Sequence, residues 1–164
     1  MISIRKLPPT LHGTEPFYLL ATWFYAGRIK PVSGSWGTLA ALPFCWLVKY
    51  AGGTIGLILF AAITYALGVW AIKKYLPHTK QADPSEVVID EVMGMAVVFL
   101  FLPLHSFVLI ALGFVVFRLW DGIKRGPVGW CDRNIKGPNG VMFDDLVAAI
   151  LAGVTMLIIQ RLLF

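Results

Sequence analysis

The chain has 164 residues, 58% of them hydrophobic and only 14% charged, with a formal net charge of +5 and a mean hydropathy of +0.76. An ordinary soluble domain is roughly 25% charged, so the composition predicts one integral membrane domain over residues 1–164 or, as the alternative, an unusually apolar helical bundle. The positive excess suits anionic lipid headgroups, and nucleic acid is excluded as a partner because the Lys and Arg residues flank apolar runs and form no stripe.

Arg5 and Lys6 precede the first apolar run, residues 17–26, but no small-residue cleavage site follows it, so the N-terminus does not read as a removed signal peptide. Ten residues make about 15 Å of helix, too little for a hydrocarbon core of roughly 30 Å. This run predicts an interfacial or re-entrant helix with Trp23 and Tyr25 at headgroup level. Residues 38–48, with Cys45, predict a short span ending near Lys49, and Gly52-Gly53 a turn. Residues 55–72 are eighteen uncharged positions and the clearest span.

Residues 92–117 would reach about 39 Å as one helix, too long without strong tilt. Pro103-Leu104-His105-Ser106 offers a turn in the middle, which predicts a hairpin. Its arms would extend outward through Glu91, Asp90 and Glu86 on one side and Arg118 and Asp121 on the other. Cys131 reads as part of a polar loop; with Cys45 it makes neither a disulfide framework nor a zinc set. Residues 146–164 form the last span, with Asp144 and Asp145 at its N-terminus. The predicted fold is therefore all-α, a multi-pass membrane helical bundle of about five spans plus the short N-terminal helix.

Five spans place residues 1–37, 73–86 and 118–145 on one side, with twelve of the fourteen Lys and Arg residues. The positive-inside rule makes that side cytoplasmic. All nine acidic residues gather there as well, and only Lys49 and Arg161 lie opposite. A single span over 92–117 would instead put Asp90 and Asp121 in different compartments.

Asp90, Glu91, Asp121, Asp144 and Asp145 are five of those nine acids, and each borders an apolar segment. A carboxylate at mid-bilayer costs roughly 2.5–3.5 kcal/mol, and a shared divalent cation explains such a cluster. Oxygen donors without neighbouring His or Cys favour Mg²⁺. Each position has a plainer reading: headgroup solvation for Asp90 and Glu91, helix capping for Asp144 and Asp145, and pairing with Lys124 or Arg125 for Asp121. The stretch from Lys30 through Ser33, Gly34, Ser35, Gly37 and Thr38 precedes a helix and can bring amides and hydroxyls to a phosphate, or can simply turn the chain. Arg118, Lys124 and Arg133 are candidate phosphate ligands, or membrane anchors.

Other phosphatase chemistries lack their parts. Gly137 stands where a cysteine phosphatase would need Arg after Cys131, no Asp-x-Asp pair is present, and His12, His78 and His105 are scattered. Metal-activated water acting on phosphorus remains.

Four ordered blocks resemble the phosphatidylglycerophosphatase A family. They are Pro31-Val32-Ser33-Gly34-Ser35-Trp36-Gly37-Thr38-Leu39-Ala40, Val88-Ile89-Asp90-Glu91-Val92-Met93-Gly94-Met95, the stretch from Gly113 to Asp121 continuing to Pro127 and Asp132-Arg133-Asn134, and Gly140-Val141-Met142-Phe143-Asp144-Asp145-Leu146-Val147-Ala148-Ala149. The resemblance implies a helical fold and Mg²⁺-dependent removal of the phosphomonoester of phosphatidylglycerophosphate, an anionic phospholipid, to give phosphatidylglycerol. Asp90, Glu91, Asp121 and Asp145 would be catalytic, and with Asp144 would hold the metal. Two other classes share some features. Asp121-Gly122 and Arg125-Gly126 resemble part of a CDP-alcohol phosphotransferase signature, but Lys136 replaces its second Asp. A small cation transporter would carry its carboxylates at mid-membrane, whereas here they crowd one edge among basic residues.

Overall fold

The computed structural model describes residues 2–81 and 83–163; Phe164, the end of the predicted last span, lies outside them. Strand β1 (Ser3–Ile4) pairs antiparallel with β2 (Ile29–Lys30). The helices are α1 (Pro16–Ala21), α2 (Ser33–Tyr75), α3 (Ile89–Phe99), α4 (Phe107–Ile123), α5 (Gly126–Asn134) and α6 (Pro138–Leu163). The all-α class is the one observed.

The helix expected over 17–26 stops at Ala21. The buried Thr22 hydroxyl donates to Tyr18 O at 2.8 Å and accepts from Tyr25 N at 3.2 Å. Trp23, Phe24 and Tyr25 then take φ of 44°, 52° and 70°, which curls the chain back. The turn leaves Ala21 O free to accept from Val88 N at 2.8 Å, just ahead of α3.

Helix α2 is a hairpin of two arms. Gly53 breaks it with φ 60° and ψ −150°, a conformation open to glycine because it lacks a Cβ. Trp23 shows the fold-back, with its ring centroid 5.2 Å from Phe44 and 6.4 Å from Phe60. These positions lie about equally far on either side of the turn, so the segments 38–48 and 55–72 fall on the two arms. Helix α2 begins at Ser33, so residues 33–38 form its first turns where the sequence suggested a loop.

The 92–117 segment is the predicted hairpin. Every residue of α3 is buried, and Phe117 Cζ lies 2.5 Å from where a Cβ on Gly94 would stand, so α3 and α4 approach closely there. Ser106 caps α4, its Oγ accepting from Leu109 N at 3.3 Å. Glu86 is not on the α3 arm as expected: Val87 N turns back to Pro84 O at 2.8 Å, and the helix starts only at Ile89. At the far end, Lys49 Nζ donates to Phe99 O at 2.6 Å and to Leu102 O, meeting the last carbonyl of α3 and one in the turn after it. Lys49→Met should therefore lower stability by about 1–2 kcal/mol, read by thermal unfolding in detergent, with turnover below the transition unchanged.

Two further expectations are corrected. Helix α6 starts at Pro138, where Gly140 N and Val141 N turn back to Gly137 O. Asp144 and Asp145 thus sit in the body of the helix and cannot be its caps. Cys131 is not in a loop; it is buried on α5.

The outward faces are apolar. Leu47, Ile55, Leu59 and Ile63 on α2, Val108, Val115 and Leu119 on α4, and Ile150, Val154 and Leu157 on α6 are all exposed. The buried set, by contrast, includes six carboxylates, among them all five acids of the predicted cluster. A soluble protein rarely exposes that much contiguous apolar surface. Residues Ser33–His78 and Pro138–Leu163 are long and apolar enough to cross a bilayer. The protein is membrane-associated.

Candidate active site

One end of the bundle gathers the start of α2, the loop after α2, the start of α3, the end of α4 and the second turn of α6. They enclose a cavity of about 250 Å³ lined by Asp90, Glu91, Asp121, Asp144 and Asp145 together with Ser33, Gly34, Arg118 and Lys124. Nine predicted site residues, dispersed over 113 positions of sequence, therefore share one wall. The hairpin brings α3 and α4 back to the same end, and the fold-back of α2 leaves its N-terminus there too.

Asp90, Glu91 and Asp145 each offer a carboxylate oxygen, all within 4.8 Å of one another. Glu91 Oε2 and Asp145 Oδ2 are buried and, among the described residues, have no hydrogen-bond partner. Buried acceptors are seldom left in that state, and three carboxylates so close repel when ionised. An all-oxygen set with unpartnered lone pairs fits a hard divalent cation such as Mg²⁺.

The other two carboxylates are engaged by cations. Arg118 Nη1 lies 2.6 Å from Asp121 Oδ2, one turn along α4, and 3.3 Å from Glu91 Oε1. Lys124 Nζ lies 3.0 Å from Asp144 Oδ2 and 2.7 Å from Asp132 Oδ1. Burial on its own lowers the Lys124 pKa, but the bonds to Asp132 and Asp144 outweigh it and the net shift is upward. Lys124 is thus a fixed positive charge at the cavity mouth, and its hydrogen bond in turn lowers the Asp132 carboxyl.

Helix α2 supplies a second electropositive element. Val32 precedes it with φ 60° and ψ 61°, a strained conformation for a β-branched residue, and Ser33 and Gly34, which carry the helix's first amides, line the cavity. Such amides have no intrahelical acceptor and favour anions. A Cβ on Gly34 would overlap Glu91 Oε1 and stand 2.6 Å from Arg118 Nη2, so any larger residue there must displace the Glu91 and Arg118 side-chain ends.

Ser35, Gly37, Thr38 and Arg133, expected as substrate ligands, do not line the cavity. Because α2 starts at Ser33, Gly37 faces Val88 and the buried Thr38 hydroxyl donates to Gly34 O at 2.8 Å. Arg133, on α5, is exposed and its Nη1 lies beside Gly129 on the same helix. The sequence reading missed Asp83 and Ser85, which also line the cavity. They sit in a polar connection without periodicity, and only the acidic character of Asp83 could have drawn notice.

Helices apolar on their outer faces, ending in one buried cavity where carboxylates meet fixed cations, define a membrane-associated helical protein with an acidic, anion-receptive site. The sequence model of phosphatidylglycerophosphatase A matches residues 19–160. The chain belongs to the phosphatidylglycerophosphatase A family. It is 34% identical over 143 residues to phosphatidylglycerophosphatase A of Escherichia coli, covering 87% of this chain and 82% of that one. The Haemophilus influenzae protein of the same name is 31% identical over 146 residues, with 89% and 90% coverage. A Bacteroides thetaiotaomicron protein named as a candidate phosphatidylinositol-3-phosphatase is 32% identical over 145 residues, with 80% and 86% coverage. No solved structure matches the chain.

Proposed function

We propose that the protein hydrolyses the phosphomonoester of phosphatidylglycerophosphate to phosphatidylglycerol and phosphate in phospholipid synthesis, using Mg²⁺ held by Asp90, Glu91 and Asp145. The observation that carries this reading is the trio of buried carboxylates within 4.8 Å, set in one cavity with Arg118, Lys124 and the first turn of α2. The substrate comes from the name that the Escherichia coli and Haemophilus influenzae relatives share. When bound, the cation supplies Lewis-acid polarisation and lowers the pKa of water.

The chain's own residues do the rest. Arg118, oriented by Asp121, and Lys124, oriented by Asp144, neutralise charge on the phosphoryl oxygens, the dominant requirement of such transition states. The amides of Ser33 and Gly34 receive the same oxygens. Glu91 Oε2 and Asp145 Oδ2, the unpartnered oxygens, are the atoms available to a metal or to a proton leaving water. Phosphate release by the purified protein from phosphatidylglycerophosphate should require Mg²⁺, cease in EDTA and return on Mg²⁺ addition; full turnover in chelator would refute the metal site.

The levels of the helices support an arrangement in the membrane. The two arms of α2, with α3, α4 and α6, make five crossings in a single domain. From Ser33 beside the site to Lys49 beside the end of α3 is about 24 Å of helix, close to a hydrocarbon thickness. Helix α3 is only about 16 Å long, but it is buried along its whole length, so the helices around it meet the lipid in its place. The site then opens at the cytoplasmic face, where most basic residues lie. Cysteines at Lys80 and Lys136, in a chain lacking Cys45 and Cys131, should both be protected from an impermeant thiol reagent in intact cells. Labelling of either would overturn this sidedness.

A further inference from the structure

Arg5 lies outside the family-matched segment 19–160, yet it reaches 80 positions along the chain to the cavity's edge. Its Nη1 is ion-paired with Glu86 Oε2 and its Nη2 donates to Ser85 Oγ at 2.5 Å. Glu86 is buried, and its other oxygen accepts from the Tyr75 hydroxyl at the end of α2. The strap carrying Arg5 is itself tied down. Arg5 N donates to Arg28 O at 2.8 Å, and Arg28 Nε and Nη2 return two bonds to Arg5 O at 3.0 and 2.7 Å.

Residues 85–88 are held on every side. Ser33 Oγ donates to Ser85 O, Gly27 packs against Glu86 O with no room for a Cβ, and Val88 N is bonded to Ala21 O. Two residues later the chain presents Asp90 and Glu91. Ser85 and Val87 themselves line the cavity.

We propose that the N-terminal strand is a strap on the active site, with Arg5 a positioning residue that acts through Ser85 and Glu86 to fix the first turn of α3 and so the spacing of Asp90 and Glu91 from Asp145. This rests on the phosphatase reading above. Removing Arg5 leaves the Glu86 carboxylate buried with one neutral partner, a costly state relieved when the segment opens to water. The first turn of α3 moves with it.

The test uses the full-length protein in detergent, with phosphate release measured against Mg²⁺ and lipid. Arg5→Ala should lower kcat about 10²-fold, the effect of a displacement near 1 Å. The Mg²⁺ concentration for half-maximal rate should rise and KM for the lipid should hold. Arg5→Lys, which keeps the charge on Glu86, should restore most of the rate. Adding Glu86→Gln to Arg5→Ala should cause no further loss, because the two side chains act as a unit. Mg²⁺-induced thermal stabilisation, strong in the wild type, should weaken in Arg5→Ala. Wild-type kinetics and Mg²⁺ dependence in Arg5→Ala would overturn the proposal, as would a loss matched by the unfolded fraction alone. Should Arg5→Ala fail to fold, Tyr75→Phe should show a smaller shift of the same kind, and its absence would count equally against the strap. An inactive wild type would sink the phosphatase reading, and the thermal shift would still decide the strap.

Discussion

Asp145→Asn should lose activity on the order of 10³-fold while unfolding in EDTA no sooner than the wild type. Asp145 is buried within 4.8 Å of Asp90 and Glu91, and its Oδ2 has no partner among the described residues. Without a cation, three ionised carboxylates in that space oppose folding. Neutralising one relieves repulsion and removes a ligand in the same step. The measurement pairs phosphate release with thermal unfolding, each with and without Mg²⁺. Mg²⁺ at a hundred times its dissociation constant should stabilise the wild type by about 2.7 kcal/mol and the variant much less. A destabilised Asp145→Asn in EDTA would mean the carboxylate is a structural hydrogen-bond acceptor, and near-normal turnover would refute the shared site. Asp90→Asn should behave alike. Asp132→Asn should matter less, since Asp132 does not line the cavity and is tied to it through Lys124.

Gly34→Ala tests the other half of the site. One methyl group there would overlap Glu91 Oε1 and crowd both terminal nitrogens of Arg118. Retreat of α2 would open its close packing at Gly37, one turn on, against Val88. The guanidinium and Glu91 must give way, and a shift near 1 Å at a phosphoryl-binding group is worth about 10²-fold in rate. Gly122→Ala is the control. A Cβ at Gly122 meets nothing within 4 Å, so the change should leave turnover intact and add up to about 1 kcal/mol through helix propensity. Equal turnover in the two variants would remove the α2 N-terminus from the site.

Much of this was legible in the residues. The break in 92–117 at Pro103 to Ser106 could be read because a 39 Å helix does not fit a bilayer and turn residues stood at its middle. The acid set could be read because carboxylates beside apolar runs are costly unless something binds them. Helix starts were less accessible. Ser33, Gly34, Ser35, Gly37 and Thr38 looked like a loop by composition, but small polar residues serve equally at a helix N-terminus, and the choice was made by packing of Gly37 on Val88 and by Val32 at φ 60°. Asp144 and Asp145 looked like caps because the apolar run begins after them; their helix begins earlier, at Pro138.

The amino-acid sequence alone determined the all-α class, the apolar exterior, the folding points at Gly52-Gly53 and residues 103–106, and the acid and base inventory of the site, because each follows from local composition and from lengths set against a bilayer. Only the tertiary structure decided which carboxylates share space and which are held by cations. Asp90, Glu91 and Asp145 come within 4.8 Å, while Asp121 goes to Arg118 and Asp144 to Lys124. Adjacent acids on one helix point about 100° apart, so what each faces depends on the rotation and approach of neighbouring helices. Those are set by side-chain packing, such as Phe117 against Gly94, which is distant in sequence and invisible in any local pattern.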